Sequence, residues 1–390
     1  MLISEVKNRK DIRAFLDLPK KLYRNDPAWI APLENEIESV FDPARNSFFS
    51  HGTCTRWLLK NDDHEVIGRI AAFINHHQQS GAGVPAGGTG FFECIENTEA
   101  AHQLFDTAAG WLQEKGMEAM DGPVNFGEND KFWGLLVEGF SPPGYGMNYN
   151  HPYYQDLFES YGFEKVYDQL TNTLDITKPI PERFSKIAAW VMNKKEYSFR
   201  HFTSSNKEKF FNDFHEIYNE AWSDFENFHP INMATIRESF HQMEPVMDQK
   251  IIWFAYRDEE PIAFVVCMPD INQVLKHLDG KMNFFSKLKF LWYKQTTTID
   301  RLRIIVMGCK HKYQNHGIES ALILCLQEEI LPRHTIREVE LAWVGDFNKK
   351  MLAIHHATGA VPSKVHRTYR YIFDQGANAK DERRFVHHAV

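Results

Sequence analysis

The sequence carries no excess of positive charge. Its 390 residues include 44 Lys and Arg against 52 Asp and Glu, which gives a formal net charge of −8. Nucleic-acid-binding proteins usually present a basic surface, because they must neutralise phosphate groups. The charge balance therefore argues against a nucleic-acid partner.

Long apolar runs are also missing. A membrane-spanning helix needs about 18 or more consecutive apolar residues, and no stretch of this chain approaches that length. The first residues, MLISEVKNRKDIRAF, scatter charges through the region where a signal peptide has its apolar core. We expect a cytoplasmic protein in which any membrane contact is peripheral, at the inner face of the membrane.

Cysteine is scarce, and metal-ligand spacing is absent. The five cysteines are odd in number and far apart, unlike the framework of a secreted disulfide protein, so we expect free thiols in the core. Histidines occur as sequence neighbours, such as His76-His77 and His387-His388, whose side chains diverge on a helix or strand. The sequence predicts neither a metal site nor a prosthetic group.

The composition is that of a globular protein, with 43% hydrophobic and 25% charged residues, and the length allows two cores. A similar order of strand and helix patterns occurs twice. The two copies are separated near residues 177–181, where two prolines flank a short polar connection. The sequence thus predicts two α/β domains with mixed sheets, at residues 1–177 and 182–375, followed by a flexible tail at residues 376–390.

Residues 301–331, RLRIIVMGCKHKYQNHGIESALILCLQEEIL, are the most informative segment. A β-branched strand pattern at residues 304–307 leads into a polar loop with one glycine, Gly317, and then into an apolar helix. The N–H groups and the dipole at such a helix start favour bound phosphate. Basic and imidazole side chains surround this turn: Arg301, Arg303, Lys310, His311, Lys312 and His316.

The residues around this loop follow a longer pattern. Positions 314–319 read Gln-x-x-Gly-x-Glu, and an apolar strand pattern follows at residues 339–344. Downstream residues then recur at spacings of three, four and four: Asn348, Met351, His355 and Gly359. This order resembles the GNAT superfamily of acyl-CoA-dependent N-acyltransferases, whose loop is Gln/Arg-x-x-Gly-x-Gly/Ala. The resemblance implies tandem GNAT-like domains, the second of which uses acetyl-CoA or another acyl-CoA as co-substrate.

The resemblance also implies catalytic roles. His355 stands where the family usually has a tyrosine, so it is predicted to be the acid for the leaving thiolate. Glu340 is the predicted base, with Asp224 and Glu226 as alternatives. Backbone N–H groups near residues 307–309 are predicted to bind the oxyanion of the intermediate.

A larger set of residues is predicted to bind the coenzyme. Glu319 departs from the small residue that the family has at its position. The predicted coenzyme-binding residues are Met307, Cys309, Gln314, Asn315, His316, Gly317, Ile318 and Asn348.

The first half is predicted to be a degenerate copy. Glu96 and Glu99 stand where a phosphate would approach the backbone, and like charge disfavours an anion there. Phe158 occupies the position of the family's tyrosine and has no proton to donate. Thr98 is the predicted N-cap of the helix that follows Glu96 and runs to about residue 115. We expect this half to shape the acceptor site or an interface.

An insertion at residues 281–294, KMNFFSKLKFLWYK, places apolar residues at helical spacing with lysines between them. Two interpretations stay open. The helix either lies in a membrane interface or covers an apolar pocket, or it packs on its own domain with lysines reaching past it to solvent. The first interpretation implies a long acyl chain or acceptor, as in the bacterial ceramide synthases, which are GNAT-like.

The predicted function is transfer of an acetyl or longer acyl group from acyl-CoA to a primary amine of a small molecule or lipid precursor. Two alternatives stay open. Fem-type ligases use the same double fold with aminoacyl groups from tRNA, and a catalytically inactive protein could keep the fold as an acyl-CoA-binding scaffold. The sequence leaves the acceptor and the oligomeric state open.

Overall fold

The computed structural model describes residues 1–77, 84–224 and 230–373. Within these ranges the chain forms two compact units, and it passes between them more than once. The predicted tail at residues 376–390 lies outside the described residues.

The two units are interleaved in sequence. The first unit contains the described parts of residues 1–169, 274–296 and 364–373, and the second contains those of residues 170–273 and 297–363. The segment that carries the apolar insertion therefore belongs to the first unit, although it lies in the second half of the sequence. The division at residues 177–182 stays a prediction about the two sequence copies.

Both units combine helices with strands, which confirms the predicted α/β class. The strands are, in chain order, β1 (Leu2–Glu5), β2 (Gly52–Lys60), β3 (Val66–Asn75), β4 (Ala86–Cys94), β5 (Ala119–Gly122), β6 (Leu135–Glu138), β7 (Glu164–Asp175), β8 (Tyr197–His201), β9 (Ile252–Arg257), β10 (Glu260–Pro269), β11 (Arg301–Cys309), β12 (Glu338–Glu340), β13 (Val344–Gly345) and β14 (Val361–Ile372). The helices are α1 (Arg9–Leu22), α2 (Glu34–Val40), α3 (Thr98–Gln113), α4 (Tyr154–Tyr161), α5 (Glu182–Met192), α6 (Lys207–Ala221), α7 (Met233–Met243), α8 (Asn272–Leu275), α9 (Phe284–Thr296), α10 (Ile318–Ile330) and α11 (Lys349–Ala357).

The sheet of the first unit has the order β1-β2-β3-β4-β5-β14. Its neighbouring strands are antiparallel except β4 and β5, which are parallel and are joined by the crossover helix α3. One face of α3 is buried because apolar residues recur at helical spacing, namely Leu104, Phe105, Ala108 and Leu112.

The helix α3 begins one residue earlier than its predicted cap indicated. The Asn97 side-chain oxygen accepts from the Ala100 N–H at 2.8 Å, so Asn97 is the N-cap and Thr98 is the first helical residue. The prediction of Thr98 as the cap is therefore wrong. Asn and Thr are both good caps, so residue type alone does not distinguish between two adjacent candidates.

The sheet of the second unit has the order β7-β12-β11-β10-β9-β8. It is antiparallel from β8 to β11, and β11 is parallel to β12 through the crossover helix α10. The helix packs against α5 and the sheet because Ile318, Leu322 and Leu326 are buried. Each unit thus repeats antiparallel strands, a crossover helix and a parallel strand, as the sequence predicted.

Two strand boundaries differ from the predictions. The apolar pattern at residues 339–344 predicts one strand, but β12 ends at Glu340 and β13 resumes only at Val344. In the first unit, the sequence predicts a strand at residues 90–94, but β4 already begins at Ala86, four residues earlier. In the described part of the chain, no helix is long and apolar enough to cross a membrane.

Candidate active site

Two parallel strands of the second unit separate at the place where the predicted site residues lie. β12 pairs with β11 only at residues 301–303, while β11 continues for six more residues to Cys309. Ile305 is 40% exposed there, and Val306 and Met307 are partly exposed. Ligands of α/β sheets bind beyond the carboxyl ends of parallel strands where neighbouring strands part. The opening between β11 and β12 is therefore the candidate site.

The backbone of β11 directs alternate groups towards this opening. The Lys310 N–H donates to the Ile262 carbonyl at 2.9 Å, on the β10 side. Because successive N–H groups of a strand point in opposite directions, those of Met307 and Cys309 face away from β10. The orientation of the Cys309 carbonyl is consistent with this, since it accepts at 3.2 Å from the Gln314 side-chain amide, which lies outside β10. The oxyanion-binding role of these N–H groups stays a prediction.

The loop after β11 is held in place by polar contacts of two buried residues, Lys310 and Tyr313. Lys310 is 3% exposed, and its Nζ contacts Glu216 and lies 3.2 Å from Glu260. The Tyr313 hydroxyl donates to the same Glu260 carboxylate at 2.7 Å. These contacts tie the loop to α6 and β10, so the start of α10 has a defined position next to the opening.

Three of the six side chains predicted to surround the turn are themselves buried and form ion pairs within the protein. Besides Lys310, the Arg301 Nε donates to Asp270 at 2.8 Å and the Arg303 Nε donates to Glu340 at 2.7 Å. The three side chains that remain exposed are His311, Lys312 and His316. An anion at the helix start would therefore meet less positive charge than the sequence indicated.

Gly317 is required by both its conformation and its neighbours. Its φ of 80° lies in the left-handed region, and a Cβ there would lie 3.1 Å from side-chain atoms of both Ile187 and Val191. Asn315 also has a positive φ, of 64°. The two residues bend the loop sharply, so that α10 begins at Ile318. The coenzyme-binding role of residues 314–318 stays a prediction.

Glu319, which departs from the family pattern, turns inward. Its side chain is buried beside the Cys309 thiol, and burial raises the pKa of its carboxyl group. Burial, reinforced by Glu319, also raises the pKa of Cys309. A carboxyl group with a raised pKa carries less negative charge near neutral pH, and a thiol with a raised pKa stays protonated. Cys309 is thus a core thiol, and none of the five cysteines forms a disulfide.

His355 is fixed by a residue from a distant part of the sequence. The Asn172 side-chain nitrogen lies 3.0 Å from His355 Nδ1, and both side chains are buried. Because an amide nitrogen only donates, Nδ1 accepts and the ring is neutral with its proton on Nε2. The Asn172 carbonyl accepts from the Leu341 N–H at 2.9 Å, immediately after β12. His355 is thereby linked to the opening, and its catalytic role stays a prediction.

The pKa of His355 gives a testable pH dependence. Burial, with a smaller effect of His356, lowers this pKa to about 4, from about 6.5 in an unfolded chain. As pH falls from about 6.5 to about 4, the unfolded state binds a proton that the folded state does not, so folding becomes less favourable by about 3 kcal/mol at most. Denaturant titrations at several pH values in this window give the free energy of unfolding as a function of pH. His355→Gln should lose the part of this pH dependence that comes from the histidine. An unchanged pH dependence would contradict a lowered pKa at His355.

Glu340, the predicted base, is also deeply buried. It is 1% exposed and accepts from the Arg303 Nε at 2.7 Å. Of the alternatives, Asp224 lies 3.6 Å from His311 Nε2, and Glu226 lies outside the described residues. The predicted role of Glu340 as a base stays a prediction, but its carboxylate has a clear structural partner.

The structure assigns structural contacts to three further residues, of which only Asn348 was singled out by the sequence. The Trp222 ring lies so close to Gly308 that a Cβ there would be 2.6 Å from a ring atom, which explains glycine at this point of β11. Asn348, predicted to bind coenzyme, caps α11 by accepting from the Met351 N–H at 3.1 Å. Asn172, the partner of His355, has no motif around it that could have marked it in the sequence.

The first unit has a cavity of about 80 Å³ at the corresponding place, beyond the parallel pairing of β4 with β5. Glu93 lies at its wall and accepts from the hydroxyls of Tyr23 and Tyr154, both at 2.8 Å, while Arg69 lies 3.5 Å away. Burial raises the pKa of Glu93. These polar groups bond to one another, unlike the open backbone of β11. No cluster of potential metal ligands occurs among the described residues of either unit.

Known proteins resemble this chain over nearly its whole length. Protein YghO of Escherichia coli K12 is 28% identical over 380 residues, which cover 94% of each chain. The bacterial ceramide synthase of Caulobacter vibrioides is 30% identical over 372 residues, covering 93% of this chain and 95% of the synthase. The chain belongs to the protein family of this synthase. None of the known family profiles matches it.

Solved structures of members of the GNAT superfamily share the fold. A tandem GNAT protein from the clavulanic acid biosynthesis pathway matches with a TM-score of 0.55 and 12% identity, covering 95% of this chain and 98% of that one. A GCN5-related N-acetyltransferase from Sphaerobacter thermophilus matches with a TM-score of 0.52 and 11% identity over 95% of each chain. The predicted tandem GNAT fold is confirmed.

Proposed function

We propose that this protein transfers an acyl group from acyl-CoA to the amine of a long-chain amino alcohol. The proposal rests on the opening between β11 and β12. The outward-facing N–H groups of Met307 and Cys309 and the start of α10 lie together at this opening. This pairing of features suits a thioester carbonyl next to a phosphate-containing group. Acyl-CoA is the co-substrate that has both.

The acceptor is proposed from the family. A ceramide is a fatty acid joined by an amide bond to the nitrogen of a long-chain amino alcohol, and one relative at 30% identity is a bacterial ceramide synthase. Formation of such an amide from a thioester needs only a nucleophilic amine, an oxyanion site and a proton for the thiolate. The apolar, partly exposed stretch of β11 at residues 305–307 supports an apolar acyl chain or acceptor nearby.

The proposed reaction is an addition followed by an elimination. The neutral amine nitrogen attacks the thioester carbon, and the carbonyl oxygen becomes an oxyanion that the N–H groups of Met307 and Cys309 stabilise. Collapse of this intermediate breaks the carbon–sulfur bond. The nitrogen loses one proton and the thiolate gains one, so the products are an amide and free coenzyme A.

His355 contributes as a neutral donor in this proposal. With a pKa lowered to about 4, its ring carries no positive charge near neutral pH. Because Asn172 holds Nδ1 as an acceptor, Nε2–H is the group that can donate to the developing thiolate. The proton that the sulfur finally receives comes from the amine nitrogen, directly or through water.

The loop assignment predicts a charge-dependent affinity. His316→Glu places a negative charge at the start of α10 on an exposed side chain, so it should weaken acyl-CoA binding about tenfold or more without disturbing the fold. Calorimetric titration with acyl-CoA measures the affinity, and thermal unfolding checks the fold. Gly317→Glu is less informative, because its φ and its contact with Ile187 would also strain the backbone.

Two matched variants complete this test. Asn97→Ala removes the cap of α3 in the first unit and should lower stability by about 1 kcal/mol with no effect on acyl-CoA affinity. Glu319→Ala removes a carboxyl group from the start of α10 and should not weaken binding. Equal affinity of His316→Glu and the wild type would place the phosphate-binding site elsewhere.

Turnover distinguishes the alternative functions. Incubation with palmitoyl-CoA and a long-chain amino alcohol should release free coenzyme A, which a thiol reagent detects. Binding of acyl-CoA without release in the presence of any amine would favour an inactive scaffold. Transfer from aminoacyl-tRNA, with no use of acyl-CoA, would favour a Fem-type ligase.

A further inference from the structure

The helix α9 presents an apolar face to solvent. Five of its large side chains are more than half exposed: Phe284 at 70%, Phe285 at 73%, Leu288 at 51%, Leu291 at 56% and Trp292 at 59%. Only seven other large hydrophobic side chains are exposed in the whole described part of the chain, and none of them lies on α9. The interpretation in which this helix buries its apolar residues on its own domain does not fit these exposures.

The exposed side chains form one continuous stripe. At about 100° per residue, the five fall within an arc of about 120° on the helix surface. Lys287 and Lys294 lie on one flank of the stripe, and Lys289 lies on the other. An apolar stripe bordered by lysines is the arrangement of helices that lie in the plane of a membrane interface.

The opposite side of α9 is anchored to the protein. Ser286 is buried, and the Tyr293 ring stacks on His277 with centroids 4.1 Å apart. The segment before α9 is fixed to the same unit, because the Gly280 carbonyl accepts from the Glu34 N–H at 2.8 Å. The helix is therefore held with its apolar stripe outward.

The charge of this region favours an anionic partner. Residues 281–299 include four lysines and no acidic residue, within a chain whose net charge is −8. A second copy of this acidic protein is a less suitable partner for such a surface than the anionic headgroups of a lipid leaflet.

We propose that α9 docks the protein on anionic membranes, with its five apolar side chains inserted between lipids and its lysines at the headgroups. This inference does not depend on the proposed reaction, because it rests on a surface of the first unit. A membrane-docked protein would meet long-chain substrates in the leaflet where they reside.

Vesicle binding by the full-length chain tests the proposal. The wild type should co-sediment with vesicles of phosphatidylcholine and phosphatidylglycerol, and more weakly with phosphatidylcholine alone. Phe285→Ser with Trp292→Ser should lower the partition coefficient by about a hundredfold. Lys287→Glu with Lys289→Glu should lower it by at least about fivefold per lysine on anionic vesicles, and less at high salt.

Matched controls use equally exposed residues elsewhere. Trp190→Ser with Val361→Ser removes two apolar side chains that are 62% and 60% exposed, and Lys10→Glu with Lys115→Glu makes the same change in charge. Both control variants should bind vesicles like the wild type, and all variants should keep the wild-type Tm.

Two results would overturn the proposal. The first is unchanged vesicle binding by the Phe285 and Trp292 double variant. The second is a wild type that is dimeric by light scattering without lipid while the same double variant is monomeric, which would make the stripe a contact between copies of the chain.

Discussion

His355→Ala is expected to lower kcat for amine acylation by about 10²- to 10⁴-fold while the affinity for acyl-CoA changes little. The ring is neutral, buried and hydrogen-bonded through Nδ1 to Asn172, so its remaining donor is Nε2–H. Removing that donor should destabilise the departing thiolate but leave coenzyme binding intact. Steady-state kinetics and titration calorimetry on the folded variant separate these two effects.

Two substitutions distinguish a neutral donor from a charged acid. His355→Gln keeps an N–H group close to the position of Nε2, so it should retain part of the activity, whereas an imidazolium acid could not be replaced by an amide. His356→Ala changes the exposed neighbour and should have little effect. Full turnover in His355→Ala would show that the histidine is structural.

Asn172 is expected to act by positioning the histidine. Asn172→Asp offers a carboxylate that accepts from Nδ1–H, which would reverse the tautomer and raise the pKa of His355 towards neutrality. The pH profile of kcat should then show an ionisation that the wild type lacks between pH 5 and 8. A residue that served only packing would alter stability without moving this profile.

The loop and helix of the second unit could be predicted from the sequence because their determinants are local. A glycine with a positive φ ends the loop at Gly317, and buried residues at helical spacing, such as Ile318 and Leu322, specify α10. The polar turn at residues 61–63, between strand patterns at residues 57–59 and 66–75, likewise predicts the hairpin of β2 and β3. Such features depend on neighbours within a few residues, which one sequence displays directly.

The electrostatics of the site could not be predicted in the same way. Arg301, Arg303 and Lys310 stand beside the loop in sequence, but Asp270, Glu340 and the acids around Lys310 neutralise them from distant positions. His355 and its partner Asn172 are separated by 183 residues. Pairing over such distances is set by the sheet, and charge counting along the chain cannot reveal it.

The break between β12 and β13 shows a related difficulty. Residues 339–344 are mostly apolar, which predicts a continuous strand, yet only Val339 and Glu340 of this segment pair with β11. This break creates the opening between β11 and β12 that the outward-facing N–H groups of β11 face. An apolar strand pattern indicates that a segment is extended, but it does not indicate how long the segment stays beside its neighbour.

Glu340→Ala is expected to lower the free energy of unfolding by about 3–5 kcal/mol, because it removes the carboxylate that balances a buried arginine. Glu340 is 1% exposed, and the Arg303 side chain that donates to it is also buried. Glu259→Ala breaks an ion pair with Arg200 at the surface of the same unit and should change stability little. Chemical denaturation of the two variants measures the difference.

A double variant separates charge from packing at this position. Arg303→Met with Glu340→Leu removes both charges, so it should be less destabilising than Glu340→Ala alone, which leaves the arginine without this partner.

Glu340→Gln then tests the predicted role of Glu340 as a base. If kcat per folded molecule falls and the pH profile of kcat changes, Glu340 acts on the amine. If only stability falls, its function is to hold β11 and β12 together where they begin to separate. The 2.7 Å contact with Arg303 favours the second result. Wild-type stability of Glu340→Ala would contradict it, because a carboxylate that can be removed without loss does not hold the strands.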